Sequence, residues 1–229
     1  MNIFLSSKIP DVVKNFLSKY GNVILLEDDI KMPSPISSHP DSLIFKDNDY
    51  YCLPRGYDFL KNLFTDLGYG FDLTEEFEND SYPYDTLVNA FVIKNILFCG
   101  SSVSASVKEY AKRNGYALAI VKQGYTHCSS LVFKDSIITQ DPGIYNTAIK
   151  LGIDCFKIEK QSILLPGYSE GFIGGSCINI GNDVIFYGDV SSQPFYQALD
   201  EYIKSHGGNI IYFKEFPLTD YGGGIATGE

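Results

Sequence analysis

One pattern limits the architecture of this 229-residue chain more than any other feature: a short apolar strand, a polar turn, a returning strand, a helix and a further strand. Leu43-Ile44-Phe45-Lys46-Asp47 is echoed by Leu131-Val132-Phe133-Lys134-Asp135, and the strands return as Tyr50-Tyr51-Cys52-Leu53 and Ile137-Ile138-Thr139. Phe91 to Phe98 and Cys177 to Tyr187 repeat the hairpin, the last with Asn182-Asp183 at its tip, chemistry suited to a tight turn. Helical patterns start near residues 10, 56, 102, 141 and 193. Asp141 before Pro142 reads as an N-cap followed by proline at the first helical position. A strand follows each helix: Val23–Leu26, Gly70–Leu73, Ala117–Val121, Cys155–Ile158 and Ile210–Phe213. The helix starts lie about 40 to 50 residues apart, a period typical of repeat architectures.

The result is an α/β fold of five β-β-α-β units in one domain spanning residues 1–229. The N-terminal unit has only Asn2–Leu5 before its helix, so its first strand is expected from the C-terminal tail around Gly222–Thr227. Pairing the termini in one unit closes a pseudosymmetric ring and removes exposed sheet edges. The competing reading is an ordinary α/β sheet with irregular hairpins.

Composition narrows the partners. The formal charge is −10, which disfavours nucleic acid, because backbone binding relies on Lys and Arg. A small cationic ligand suits the same balance. No apolar run reaches the roughly 18 residues of a membrane helix, and the first residues lack the basic flank and length of a signal peptide. Five widely spaced cysteines without a Cys-x-x-Cys read as reduced, buried thiols of a cytoplasmic protein. No ligand spacing for a metal is present, and neither glycine cluster is a phosphate loop, so no cofactor is expected.

Four segments carry a closer likeness: Ser38-His39-Pro40-Asp41, Tyr125-Thr126-His127-Cys128-Ser129, Gly171-Phe172-Ile173-Gly174-Gly175-Ser176 and Asp220-Tyr221-Gly222-Gly223-Gly224. With the five-unit repeat, they make the chain resemble the pentein, or α/β-propeller, superfamily, and within it a bacterial family known by the guanidine-modifying-enzyme fold. That superfamily includes deiminases, dimethylarginine hydrolases, amidinotransferases and the ribosome anti-association factor. The resemblance implies a thiolate attacking a guanidinium carbon, a His acid/base and carboxylates holding the cationic nitrogens. In the deiminases the nucleophile follows a glycine run near the C-terminus. Here Gly222-Gly223-Gly224-Ile225-Ala226-Thr227-Gly228-Glu229 contains no Cys.

Aligning Leu43, Leu87, Leu131 and Ile178 puts Asp41, Asp85, Ser129 and Ser176 in one repeated slot facing the channel, with Asp220 nearby. Carboxylates facing one channel repel one another unless a cation or raised pKa values relieve them; the competing reading makes them turn caps. His39 shares a side with Asp41, and His127 is expected at the equivalent position of another unit. His39 is the candidate acid/base and Cys128 the candidate nucleophile, the one Cys beside a His. Side chains alternate along a strand, so His127 and Cys128 are not expected to face the channel together. The Gly174-Gly175 and Gly222–Gly224 amides are candidates to grip a carboxylate, and His206 reads as a structural helix-end residue. The acidic stretch Asp72–Asp80 reads as a surface loop over the channel mouth. Two functions follow: a hydrolase or amidinotransferase on a guanidino or amidine group, or a non-catalytic ligand-binding or protein-interaction ring.

Overall fold

The computed structural model describes residues 1–28, 32–76, 82–159 and 162–228. Unit one holds β1 (Asn2–Ser6), α1 (Asp11–Leu17) and β2 (Asn22–Leu26). A single-turn helix α2 (Pro40–Leu43) leads into unit two: β3 (Phe45–Asp47), β4 (Tyr50–Leu53), α3 (Asp58–Asp66) and β5 (Asp72–Leu73). Unit three is β6 (Ala90–Ile93), β7 (Ile96–Gly100), α4 (Ala105–Arg113) and β8 (Ala117–Val121). Unit four is β9 (Ser130–Phe133), β10 (Ser136–Thr139), α5 (Pro142–Lys150) and β11 (Asp154–Lys157). Unit five is β12 (Cys177–Ile180), β13 (Asp183–Phe186), α6 (Tyr196–Ser205) and β14 (Asn209–Ile211), and the chain ends with β15 (Ile225–Ala226).

In units two to five the first two strands form an antiparallel hairpin and the third pairs parallel with the middle strand. Parallel pairing needs a crossover, and the helix of each unit provides it. Local signals fit these helices. Asp141 caps α5 by accepting from the Ile144 amide at 2.8 Å, and Ser104 caps α4 through the Val107 amide at 3.2 Å.

The expected completion of unit one is present. β15 pairs antiparallel with β1, Ile3 opposite Ala226 and Phe4 opposite Ile225, while β2 pairs parallel on the other side. The five three-stranded sheets are separate, with no continuous hydrogen-bonded sheet running through them. What joins the units is side-chain packing. Five apolar cores lie between successive units: Phe4 with Leu43 and Phe64, Phe45 with Leu97 and Val107, Phe91 with Ile137 and Ile144, and Phe133 with Phe186 and Leu199. The fifth packs Ile178 and Tyr187 of unit five against Ile3 and Leu5 of unit one. Burying a side chain of this size is worth about 1.5–3 kcal/mol, so these cores set the relative placement of the units and of the loops between them.

One expectation needs correction. The likeness of residues 43–47 to residues 131–135 suggests a shared register, but the hairpins turn at different points of the two segments. β3 runs to Asp47 and turns at Asn48-Asp49, whereas β9 ends at Phe133 and turns at Lys134-Asp135. Asn48, Lys94 and Lys134 open their turns with φ of 51°, 48° and 50°. Lysine is not a usual choice for that left-handed region, so the turn was hidden in the sequence and the alignment slipped by two residues. In unit five the turn sits at Gly181-Asn182, one residue before the expected tip.

Candidate functional site

Anchored at the turns, the repeat puts different residues in register from those aligned by sequence. His39, Asp85, Tyr125 and Phe172 each lie eight residues before the end of their hairpin strand. Asp41, Leu87, His127 and Gly174 each lie six before it. Asp41, Asp85, Ser129 and Ser176 therefore do not share a slot, and His39 is the counterpart of Tyr125 rather than of His127. The two true slots serve two cavities. His39, Tyr125 and Phe172 line one of about 240 Å³, together with Cys128, Asp220 and Tyr168. Asp41, His127 and Gly174 line another of about 190 Å³.

Asp220 is the anchor of the first cavity and is only 1% exposed. Its backbone is clamped: the Asp220 amide donates to the Leu164 carbonyl at 2.8 Å, and the Leu164 amide donates to Leu218 at 2.9 Å. Its carboxylate accepts from two backbone amides, Gly222 at 2.8 Å and Phe172 at 2.9 Å. The Cys128 thiol donates to the same carboxylate, with Sγ 3.4 Å from Oδ2. His39 Nδ1 lies 3.8 Å from Oδ1, an electrostatic contact rather than a hydrogen bond.

Glycines make room for this carboxylate. A Cβ on Gly175 would fall 2.0 Å from Asp220 Oδ1. The Gly175 amide donates to the Cys128 carbonyl at 3.0 Å, so it serves the frame of the site. Gly222, at φ +77°, presses its bare α-carbon on His39, where a Cβ would come within 2.3 Å of the His39 Cβ. Both positions require glycine for steric reasons.

Asp41 sits on α2, 1% exposed, its amide donating to the Gly222 carbonyl at 3.1 Å. One carboxylate oxygen accepts from Ser42 Oγ at 3.1 Å, and the other has no partner among the described residues. Burial first, and then the charge of Asp220, push its pKa up to about 7. Burial and the charges of Asp220 and Asp41 push the Cys128 thiol well above its ordinary value, so it rests as the thiol. Burial lowers the pKa of His39, partly offset by Asp220. Among the described residues, no Lys or Arg forms an ion pair with either carboxylate.

The remaining expected residues fall elsewhere. Asp85 is buried, accepts from the Tyr125 hydroxyl at 2.5 Å and reaches the cavity only through that ring; burial raises its pKa. His127 faces the second cavity with no partner for Nδ1 among the described residues, and burial takes its pKa down to about 4. It and Cys128 thus line different cavities; residues 126–129 form a turn before β9, so the turn, not strand alternation, separates them. Ser129 and Ser176 line neither cavity, and the Ser176 hydroxyl donates to the Ile173 carbonyl at 2.8 Å. His206 ends α6 and pairs with Asp154 at 2.9 Å. Where the deiminases continue from glycine run to nucleophile, the Thr227 hydroxyl accepts from the Asn2 amide at 3.0 Å and bonds Tyr69 at 2.9 Å, tying the termini together. Of the acidic stretch, Asp72-Leu73 is strand and Glu75 accepts from the Ala105 amide at 3.1 Å, while residues 77–80 lie outside the described residues.

Sequence reasoning passed over the walls of the first cavity: Ile36, Tyr125, Leu165, Tyr168 and Phe172. Tyr125 and Phe172 face each other with ring centroids 6.2 Å apart. Their signal was the repeat position shared with His39, visible only once the turns are placed.

Comparison with known proteins places the chain. Residues 4–225 match the model of a family described as "Family of unknown function (DUF6873)". The chain belongs to that family. Comparison with curated proteins gives no match. Among solved structures it is similar to DDAH from Pseudomonas aeruginosa, a cysteine-to-serine mutant complexed with citrulline, with a TM-score of 0.62 at 12% identity over 93% of this chain and 91% of that one. It is also similar to the N-terminal domain of ArgZ, an arginine dihydrolase of cyanobacteria, as a mutant bound to substrate, with a TM-score of 0.60 at 12% identity, covering 93% and 91%. A dimethylarginine dimethylaminohydrolase adduct with 4-chloro-2-hydroxymethylpyridine matches with a TM-score of 0.59 at 11% identity, covering 93% and 92%. At these identities the likeness establishes the fold, the pentein α/β fold of five units. No helix among the described residues is long and apolar enough to cross a membrane.

Proposed function

We propose that this DUF6873 protein binds a compact guanidinium or amidinium compound in the 240 Å³ cavity, with Asp220 in its wall supplying the counter-charge and the buried Asp41, which lines the second cavity, adding to the negative field. The observation carrying this reading is a pair of carboxylates, each 1% exposed, that raise the pKa of a neighbouring thiol and form no ion pair with a Lys or Arg among the described residues. Buried like charges at such range are costly, and a ligand cation relieves them. Tyr125, Tyr168 and Phe172 offer aromatic faces that attract a delocalised cation by about 0.5–2 kcal/mol each. The cavity is smaller than the roughly 300–1,000 Å³ of pockets for drug-sized ligands, which suits a small group.

In the same reading the five units form a closed ring, held by the pairing of β1 with β15 and by the core between units five and one. Catalysis follows from the cation. Offsetting Asp41 and Asp220 lowers the thiol pKa, and Cys128 passes its proton to His39, whose imidazolium pairs with Asp220. The thiolate forms a C–S bond to the guanidinium carbon, and His39 returns the proton to the departing nitrogen. Hydrolysis of the adduct by water restores the thiol. Of the proteins similar in fold, one is complexed with citrulline and another is an arginine dihydrolase bound to its substrate, which supports this ligand class.

The deciding experiment is calorimetric titration of the full chain with methylguanidine and acetamidine, beside Asp220→Asn. Binding that is lost in the variant supports the reading; wild-type protein silent toward both ligands refutes it. Ammonia or amine release in the same samples, abolished by Cys128→Ser, separates turnover from binding alone.

A further inference from the structure

The second cavity, about 190 Å³, is used by nothing above. It is lined by Asp41, Lys46, His127, Ser130 and Asn179, among β3, β9, β12 and the Gly223–Ala226 segment. Among the described residues, four buried side-chain atoms without a hydrogen-bond partner belong to this lining: Asp41 Oδ2, His127 Nδ1, Ser130 Oγ and Asn179 Oδ1. Buried polar groups are rarely left so, and such an atom costs about 1–3 kcal/mol. Four in one cavity call for a polar occupant.

Charge narrows the occupant. Lys46 has no acidic partner among the described residues, although Asp41 lines the same cavity. An ammonium without a partner and the Ser130 hydroxyl, 1% exposed, both donate to an anionic oxygen. Asn179 has already committed its amide N–H to the Val132 carbonyl, which leaves its oxygen as an acceptor. Asp41 Oδ2 accepts as well, and the neutral His127 Nδ1 accepts or donates according to its tautomer. The occupant must therefore present an anionic oxygen to one part of the lining and hydrogen-bond donors to another.

We infer that this cavity binds a short carboxylic acid bearing a hydroxyl or amino donor, with its carboxylate on Lys46 and Ser130 and its donor on Asn179, Asp41 or His127. Asp41 is a wall of this cavity and does not line the other, to which it is coupled through the charge of Asp220 and the Cys128 thiol. The inference stands apart from the guanidine reading, because Lys46, Ser130 and Asn179 line only the second cavity.

The test is ligand-observed NMR and calorimetry on the full chain with glycolate, glycine, acetate and urea. Glycolate or glycine should bind, acetate at least threefold more weakly, and urea not at all. Lys46→Met should weaken the binding at least tenfold, Lys46→Arg should largely preserve it, and Ser130→Ala should weaken it several-fold. Methylguanidine binding in Lys46→Met should be unchanged, so that failure of one site is distinguishable from failure of the other. Binding of neither glycolate nor glycine overturns the inference, as does binding indifferent to Lys46→Met in a variant with an unaltered melting curve. Acetate binding as tightly as glycolate overturns the donor requirement.

Discussion

Titrating a permanently charged guanidine across neutral pH tests the carboxylate pair directly. The ligand does not titrate there, so any pH dependence belongs to the protein. Burial and Asp220 hold the Asp41 pKa at about 7 in the empty site, while a bound cation favours the ionised form. Binding near neutrality should therefore release a proton. With a pKa of about 7, the ionised fraction rises from about one-tenth at pH 6 to about nine-tenths at pH 8. If the ligand requires that form, affinity should tighten about tenfold over the interval, about 1.4 kcal/mol, and level off above about pH 8. His127, at about 4, falls below this window, and burial lowers the His39 pKa from its ordinary value, so the flattening in Asp41→Asn is what assigns the dependence to Asp41. Calorimetry in phosphate and in Tris should give apparent enthalpies that differ by the ionisation enthalpies of the buffers, in proportion to protons released. In Asp41→Asn the dependence should flatten. A wild-type affinity constant across the interval, or the same slope in Asp41→Asn, refutes the reasoning.

Other outcomes follow from the same contacts. Asp41 has a folded pKa above its unfolded value near 3.8, so the fold binds the extra proton between those values and stability should fall as pH rises from about 4 to about 7; Asp41→Asn should melt several degrees higher than the parent at pH 8 by scanning calorimetry. Gly175→Ala drives a methyl into Asp220 and should cost about 1–3 kcal/mol, read as loss of denaturation midpoint together with loss of guanidine binding. The raised thiol pKa makes Cys128 slow toward iodoacetamide at neutral pH in the free protein, and Asp220→Asn should speed its labelling; mass spectrometry of the labelled peptide checks both. Tyr125→Phe strips the buried Asp85 carboxylate of the one hydrogen bond described for it and should destabilise by about 1–3 kcal/mol in urea titration.

The architecture was legible in the sequence because it is repeated and local. Hairpin, helix and parallel strand each leave a periodic apolar trace, and four echoes of the same trace name the unit without any knowledge of long-range contacts. The unpaired N-terminal strand told where its partner had to come from, since a lone edge is unfavourable, and β15 lies there. His127 and Cys128 do face different cavities, but through a turn at residues 126–129 rather than through the strand alternation expected of them.

The sites depended on what no local pattern carries. Register was decided by turns whose left-handed residues include lysines, so the visible likeness of two segments misled by two positions and merged three positions into one. Cys128 and Asp220 are 92 residues apart and meet only because units four and five pack on a shared core and the Leu164 bridge holds the C-terminal segment in place. Burial then does the chemistry: in water Asp41 and Cys128 would be ordinary side chains, whereas buried beside the Asp220 carboxylate both have raised pKa values. The chain's own order determined which units form; their packing decided which charges must share one place.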